Sequence, residues 1–251
     1  MKITVIGAGN MGGALVKGWA ETARKGGAKH ELTATAKTQK TLSALAADYP
    51  EIRTSTDNAA AVTDADVVVV AVKPWLVEEV MSEISGSLSK GCIVISVAAN
   101  IEHPRTDVYA MPNIAAEFCE AMSFIRAGAA EDATRKAVDL FSLLGKVMVV
   151  DEKQMKAGNM LAGCGIAYVM RMIRAMMEGG VEMGLYPQVA KDVAVQAMQG
   201  AVSVLNGTGL HPEAAIDKVT TAGGLTIKGL NELDHAGFNS AVIRCLKAGL
   251  D

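Results

Sequence analysis

Aromatic residues are scarce in this sequence, and their scarcity limits what can fill its core. Phe, Trp and Tyr make up 4% of the 251 residues, whereas 50% of the residues are hydrophobic. A chain this apolar can bury enough surface to offset the entropy lost on folding, which excludes a disordered protein. The core must therefore consist of aliphatic side chains and of the 14 methionines, a composition typical of closely packed helices.

Positive charge is not in excess either. The 24 Lys and Arg residues are balanced by 27 Asp and Glu residues, so the formal net charge is −3. Domains that bind nucleic acids usually carry a basic patch that attracts the phosphates. We therefore expect no nucleic-acid partner.

Uninterrupted hydrophobic runs are short. The longest, such as residues 67–72 and 161–170, lie well below the roughly 18 residues of a membrane span, so we expect no membrane partner. Residues 1–6 lead directly into a predicted strand and lack the apolar region and cleavage site of a signal peptide. The sequence therefore predicts a cytoplasmic protein.

Cysteine and histidine are few, and neither has the spacing of a disulfide framework or a metal site. The four cysteines are Cys92, Cys119, Cys164 and Cys245, and the four histidines are His30, His103, His211 and His235. We predict reduced thiols and no metal cofactor.

Residues 1–151 alternate short β-branched runs with helical stretches. The runs are residues 3–6, 32–36, 67–72, 92–97, 108–111 and 147–150. The run at 67–72 is apolar without alternation, as expected of a central parallel strand that helices cover on both faces. This rhythm predicts an α/β fold with an N-terminal, Rossmann-type doubly wound sheet.

Residues 152–251 contain no further strand-like run and predict a second, all-helical domain. Residues 161–170 are apolar nearly all round, and such a helix needs burial on every side. We therefore expect two copies to pack their helical domains together as a homodimer, from which a higher oligomer could be built. The alternative is an ordinary helix buried inside one subunit.

A glycine-rich turn links the first predicted strand to the first predicted helix. Its residues are Gly7, Ala8, Gly9, Asn10, Met11 and Gly12, in the pattern GxGxxG. In that context Gly7 permits a tight turn, Gly9 lets the backbone approach a pyrophosphate, and Gly12 allows helix and strand to pack closely. The helix N-terminus also offers free N–H groups to the anion. This predicts a dinucleotide site; the alternative is a turn that is merely rich in glycine.

The end of the second predicted strand bears on which dinucleotide binds. An NAD enzyme places Asp or Glu there, against the ribose 2′-hydroxyl. Residues 34–40 contain no carboxylate, and Thr35, Lys37 and Thr38 offer donors to a phosphate. We therefore expect NADPH as the favoured cofactor, with NADH as the alternative. Lys37 and Lys40 could otherwise be the solvated start of a helix.

The carboxyl end of the run at 67–72 is predicted to hold the nicotinamide ribose, because ligands of open α/β sheets bind at this edge. The residues expected there are Ala71, Val72, Lys73 and Pro74. Lys73 faces cofactor phosphate, substrate carboxylate or simply water, and Pro74 begins the next helix.

With these motifs, the chain resembles the pyrroline-5-carboxylate reductase family over essentially its whole length. The resemblance rests on residues 5–15, 71–74, 111–113, 151–169 and 211–233, of which the last are the most specific. It implies reduction of Δ1-pyrroline-5-carboxylate to L-proline by hydride transfer from NADPH, the last step of proline biosynthesis.

The resemblance also implies cofactor contacts. It places the pyrophosphate on residues 8–11 and the 2′-phosphate at Thr35 and Lys37. It further places the adenosine at Asn58 and the nicotinamide near residues 71–73 and Ala98. Asn58 could instead cap a helix.

A second glycine turn is predicted to bind the substrate. Its residues are Thr221, Gly223, Gly224, Leu225 and Thr226, and a helical run follows. Exposed N–H groups at such a turn suit one small carboxylate. The resemblance implies that this carboxylate belongs to the substrate and that Thr226 is the catalytic residue, which hydrogen-bonds the ring nitrogen or carboxylate. The alternative is that the threonines only cap a helix.

The chain departs from the family at several positions. The family usually has Pro at the positions of Ala116, Ile166 and Ala222, and commonly Ser or Thr at those of Cys164 and Leu225. Lys37 stands where the family often has Arg, and lysine lacks the bidentate fork, so selectivity for NADPH could be weaker. Two rival functions stay open: a reductase of another small imine or ketone, and a paralogue that binds nucleotide without turnover.

Overall fold

The computed structural model describes residues 1–99, 101–126, 128 and 130–250. The chain divides into two compact units, Met1–Gly163 and Cys164–Asp251. The first unit is a sheet with helices on both faces. The described part of the second unit, residues 164–250, contains helices and no strand.

The first unit contains a single eight-stranded sheet among its described residues. Its strands are β1 (Lys2–Ile6), β2 (Glu31–Thr35), β3 (Arg53–Ser55), β4 (Val67–Val70), β5 (Ile93–Ser96), β6 (Val108–Met111), β7 (Ala121–Arg126) and β8 (Gly145–Val150). The order across the sheet is β3-β2-β1-β4-β5-β6-β7-β8. The chain thus builds outward from β1 in one direction and then from β4 in the other, so the predicted doubly wound α/β fold is confirmed.

The pair β6 and β7 is antiparallel, whereas the other neighbouring strands are parallel. A parallel pair needs a crossover of a dozen or more residues. The link between β6 and β7 holds only a short 3₁₀ turn, Ile114–Phe118, and then Cys119 in the left-handed region with φ 60°. This link is too short for a crossover, so the chain reverses direction.

Helices cover both faces of the sheet. They are α1 (Asn10–Arg24), α2 (Gln39–Asp48), α3 (Asn58–Val62), α4 (Val77–Ile84), α5 (Glu131–Ser142) and α6 (Glu152–Gly158). Residues of α1, α2 and α5 share one apolar layer, and residues of α3 and α4 share the other. The largest buried side chain, Trp19 of α1, donates a 2.9 Å hydrogen bond from Nε1 to the carbonyl oxygen of Leu140 in α5. The indole therefore satisfies its only donor inside the core.

Helix α6 packs on the sheet of the first unit. Gly158 lies so close to Phe124 that a Cβ at position 158 would sit 2.6 Å from the phenyl ring. Met155 is buried against the same ring, and Ala162 packs on this cluster. For this reason the first compact unit extends to Gly163, past the predicted domain boundary between residues 151 and 152.

The helical stretch Glu152–Glu182 is long and apolar enough to cross a membrane, judged by length and composition alone. It consists of α6, a π-helical segment Asn159–Cys164 and α7 (Gly165–Glu182). The sequence analysis predicted a helix at residues 161–170 but counted only uninterrupted apolar runs, so it underestimated the length of the apolar helical stretch. The same length and composition occur in helices that pack against protein.

The second unit leaves most of its apolar surface uncovered in one copy of the chain. It contains α7, α8 (Pro187–Thr208), α9 (Pro212–Val219), α10 (Leu225–His235) and α11 (Phe238–Lys247). Helices α7 and α8 pack closely where Gly180 of α7 faces Ala190 of α8. A Cβ at position 180 would lie 3.1 Å from the Cβ of Ala190. Elsewhere large apolar side chains are open to solvent, including Met170 at 59% and Val193 at 55% exposure. An exposed apolar area of this kind marks an interaction surface.

Candidate active site

The turn after β1 requires glycine at its first position. Gly7 has φ +97°, a conformation that residues with side chains rarely adopt. A Cβ there would lie 2.9 Å from both the carbonyl oxygen of Ala71 and Cγ1 of Val72. The first turn residue is therefore pressed against the segment that follows β4.

Gly9 is the N-cap residue of α1 and faces open space. A Cβ at this position would meet nothing within 4 Å. The first N–H groups of a helix have no intrahelical acceptor and form its positive end. Gly9, Asn10 and Met11 thus offer backbone donors beside an unfilled space, and this arrangement fits a pyrophosphate.

The first two N–H groups of the same turn are already used. Those of Gly7 and Ala8 donate to the carbonyl oxygen of Thr35, at 3.0 and 2.7 Å. Ala8 was predicted to contact the pyrophosphate, but its N–H fixes the turn to the end of β2 instead. Any contact of Ala8 with a phosphate must come from other atoms.

The side chain of Thr35 points away from solvent. Thr35 is fully buried, and its hydroxyl donates a 2.6 Å hydrogen bond to Oδ1 of Asn58. The amide Nδ2 of Asn58 in turn donates to Oε2 of Glu83, on α4, at 2.9 Å. The predicted contact between the Thr35 hydroxyl and a 2′-phosphate therefore needs correction, because that hydroxyl is occupied within the protein. Lys37 and Thr38 follow it on the exposed rim.

Asn58 does not cap α3, so the alternative suggested by the sequence is wrong. The cap is Asp57, whose side chain accepts a 2.9 Å hydrogen bond from the N–H of Ala60. The carboxamide of Asn58 is left to join Thr35 and Glu83 at the adenosine end of the predicted site.

The segment after β4 lies beside the glycine turn, at the carboxyl edge of the sheet. The N–H of Ala71 donates to the carbonyl oxygen of Ile6 at 2.8 Å. Lys73 is exposed, and Pro74 opens a 3₁₀ turn, Pro74–Leu76, as its fixed φ favours. Ala98, after β5, is buried and contributes to the same apolar layer as Val72.

A cavity of about 260 Å³ adjoins Ala98. Its lining includes Ser96, Met111, Arg126 and Lys156. Sequence reasoning missed Arg126 because it did not predict β7, the strand that carries this residue. The Arg126 guanidinium pairs with Glu102 and stacks 4.1 Å over the ring of Tyr109, so its charge is already matched within the protein.

The predicted substrate turn lies in the second unit. Gly223 has φ +69°, and the N–H of Gly224 donates to the carbonyl oxygen of Thr221 at 2.9 Å. Gly224 caps α10 without a side-chain hydrogen bond, followed by Leu225, which is 86% exposed, and by Thr226, also exposed. The alternative that a threonine caps this helix is therefore wrong, and the first N–H groups of α10 stay available to an anion.

Two further polar residues of the second unit are engaged locally. Desolvation raises the pKa of the Tyr168 phenol, and the neighbouring thiols of Cys245 and Cys164 add to this effect. Glu178 pairs with Arg174 at 2.9 Å. The carboxylate of Glu178 thus has its ion-pair partner on the same helix, α7.

Comparison with family models assigns both parts of the chain. A model described as pyrroline-5-carboxylate reductase dimerisation matches residues 152–251. A second, described as NADP oxidoreductase coenzyme F420-dependent, matches residues 2–100. The helical part thus carries a dimerisation domain, which supports homo-oligomerisation.

Individual relatives agree with these matches. The chain is 36% identical to pyrroline-5-carboxylate reductase of Methanosarcina acetivorans, over 97% of this chain and 94% of that protein. It is 34% identical to pyrroline-5-carboxylate reductase 1 of Dictyostelium discoideum over 99% of this chain, but spans only 48% of that longer protein. Its fold matches that of Plasmodium falciparum pyrroline carboxylate reductase with NADP bound, with a TM-score of 0.85, 23% identity and coverage of 99% and 95% of the two chains. The resemblance seen in the motifs is confirmed: the chain belongs to the pyrroline-5-carboxylate reductase family.

Proposed function

We propose that this chain reduces Δ1-pyrroline-5-carboxylate to L-proline. NADPH is the favoured hydride donor, and NADH is the alternative donor. The observation that carries the proposal is the 36% identity to the Methanosarcina acetivorans enzyme over 97% of the chain. That match spans both units, so it includes the first glycine turn and the turn at Gly223 and Gly224. The chain is thus an NAD(P)H-dependent oxidoreductase of proline biosynthesis.

The nucleotide is held by the N-terminal domain, residues 1–151, which lies within the first unit. The open space at Gly9 and the free donors of Asn10 and Met11 fit the pyrophosphate, and Gly7 and Gly12 keep the turn closed. Lys37 supplies a positive charge for the 2′-phosphate, and the buried hydroxyl of Thr35 orients Asn58 at the adenosine end. Ala71, Val72, Lys73, Pro74 and Ala98 line the nicotinamide end. When bound, the cofactor supplies the hydride; the protein supplies binding and orientation.

The substrate is held by the second domain, residues 152–251. Its carboxylate accepts hydrogen bonds from the N–H groups that begin α10, beside Gly223 and Gly224, with Thr221 and Leu225 as walls. Thr226, in the first turn of that helix, donates its hydroxyl to the imine nitrogen or the carboxylate. Hydride acceptance requires alignment and a polarised imine carbon, so a hydroxyl and solvent suffice and no strong acid or metal is needed.

We infer that two copies associate through their helical domains, and that further association of dimers uses other surfaces. The exposed apolar side chains of α7 and α8 support this, because a second copy would cover them. The stretch Glu152–Glu182 then packs on protein. Its Arg174 and Glu178 form an ion pair, and charged side chains of this kind are costly in lipid. The four free cysteines fit a reducing, cytoplasmic location, and the negative net charge disfavours nucleic acid.

Rescue of a proline auxotroph tests the proposal against its rivals. A strain that lacks its own reductase should grow without proline when it expresses this chain. The matched control is Thr226→Ala, which keeps the nucleotide site and should rescue poorly. Absence of rescue by a well-expressed wild type would favour a reductase of another imine or ketone, or a paralogue without turnover.

A further inference from the structure

A carboxylate from another part of the chain lies near the end of β2, although the sequence around that strand end has none. Glu83 reaches this corner from α4, where its Oε2 accepts a hydrogen bond from Asn58 at 2.9 Å. Asn58 in turn accepts the hydroxyl of Thr35, the last residue of β2, at 2.6 Å. Two hydrogen bonds and one amide group place the Glu83 carboxylate within about 8 Å of the Thr35 hydroxyl.

This corner is held firmly. Thr35 is fully buried, and its carbonyl oxygen accepts the N–H groups of Gly7 and Ala8. Asn58 uses both atoms of its carboxamide, one toward Thr35 and one toward Glu83. The position of the carboxylate is thus tied through side chains to the turn that begins the nucleotide site.

The negative charge of Glu83 is not neutralised. Glu83 is exposed, and no Lys, Arg or His forms an ion pair with it within the described residues. Asn58, its hydrogen-bond partner, is neutral. The carboxylate therefore interacts electrostatically with any charged group bound at the end of β2, over a short and partly solvated distance.

We propose that Glu83 is a specificity-determining residue for the cofactor, which lowers the preference of this site for a ribose 2′-phosphate. A phosphate adds up to two negative charges near the carboxylate and is repelled by it, whereas a free 2′-hydroxyl adds none and can donate to it. The expectation of an NADPH preference, drawn from the absence of Asp or Glu after β2, therefore overestimates that preference. This inference rests on the proposed function for the placement of the adenosine.

The test is the substitution Glu83→Gln, which removes the charge but keeps an oxygen that accepts from Asn58. Calorimetry on the full chain gives the dissociation constants of 2′,5′-ADP and 5′-AMP, which differ only in the 2′-phosphate. The ratio of the two constants should shift by about fivefold toward 2′,5′-ADP at low salt, and the ratio of kcat/KM for NADPH and NADH should shift in the same direction.

The matched control is Glu79→Gln, which removes the same charge one turn earlier on α4, from an exposed residue without a bond to Asn58. An unchanged ratio in Glu83→Gln, or an equal shift in Glu79→Gln, would overturn the inference. Turnover of pyrroline-5-carboxylate with an unchanged ratio contradicts this inference alone. Failure of the wild type to bind either nucleotide contradicts both this inference and the proposed function.

Discussion

A Cβ at Gly12 would lie 2.2 Å from the carbonyl oxygen of Gly7, so α1 and the turn before it touch through bare backbone. A Cβ at Gly9, which lies between these two residues in the turn, would meet no atom within 4 Å. The fold thus requires Gly7 and Gly12 in this turn, whereas the proposed pyrophosphate site requires Gly9. Substitution of each by alanine should separate stability from binding.

Gly12→Ala should destabilise the first unit by about 3 kcal/mol, because the new methyl group overpacks a backbone contact. Gly9→Ala should cost less than about 1 kcal/mol of stability, since its methyl group enters open space. It should still weaken NADP⁺ binding by at least about tenfold, because that space is where the pyrophosphate would lie. Thermal unfolding and calorimetry measure the two effects. A Gly12→Ala protein as stable as the wild type would contradict the packing argument.

Thr226→Ala should lower kcat/KM for pyrroline-5-carboxylate by about tenfold or more, because one hydrogen bond to the reacting group is lost. Binding of NADP⁺ should stay unchanged. Thr226→Ser keeps the hydroxyl and should recover most of the activity. Steady-state kinetics decide the matter: if alanine and serine behave alike, the hydroxyl has no part in the reaction.

Two buried hydroxyls in the sheet should respond in opposite ways to removal. Within the described residues the hydroxyl of Ser123 has no hydrogen-bond partner, whereas that of Thr4 donates to the carbonyl oxygen of Ala61 at 2.8 Å. Ser123→Ala should therefore be neutral or stabilising, and Thr4→Val should destabilise by about 1–3 kcal/mol. Urea unfolding gives both values. A clear loss of stability in Ser123→Ala would show that its hydroxyl has a partner in solution.

Stability should fall as the pH drops below the ordinary histidine value of 6.5, partly because of His30. Burial lowers the pKa of this imidazole, and neither ring nitrogen has a hydrogen-bond partner in the part of the chain that the structure describes. The unfolded chain then binds a proton at a higher pH than the folded one, so acid favours unfolding. His30→Leu should reduce this dependence relative to the wild type. Unfolding curves at several pH values test the difference.

Strand prediction succeeded where short runs rich in β-branched residues are visible in the sequence. The six predicted runs correspond to β1, β2, β4, β5, β6 and β8. The missed strand β3 (RTS) is three residues long and polar, and β7 (AMSFIR) mixes small, polar and charged residues. Both strands are specified by their neighbours in the sheet, which a local pattern does not contain.

For the site as well, the sequence revealed the local features and missed the contacts between distant residues. The glycine turn at residues 7–12 was recognisable because its contacts are local. The connection from Thr35 through Asn58 to Glu83 joins residues 23 and 25 positions apart on three elements, so no spacing rule could reveal it. The occupied hydroxyl of Thr35 was missed for the same reason.

The oxidation of NADPH in the presence of Δ1-pyrroline-5-carboxylate tests the central claim most directly. The purified wild-type chain should consume NADPH only when the imine is present, and should form proline in equal amount. A well-folded chain that binds NADP⁺ but oxidises no NADPH with this substrate would contradict the account.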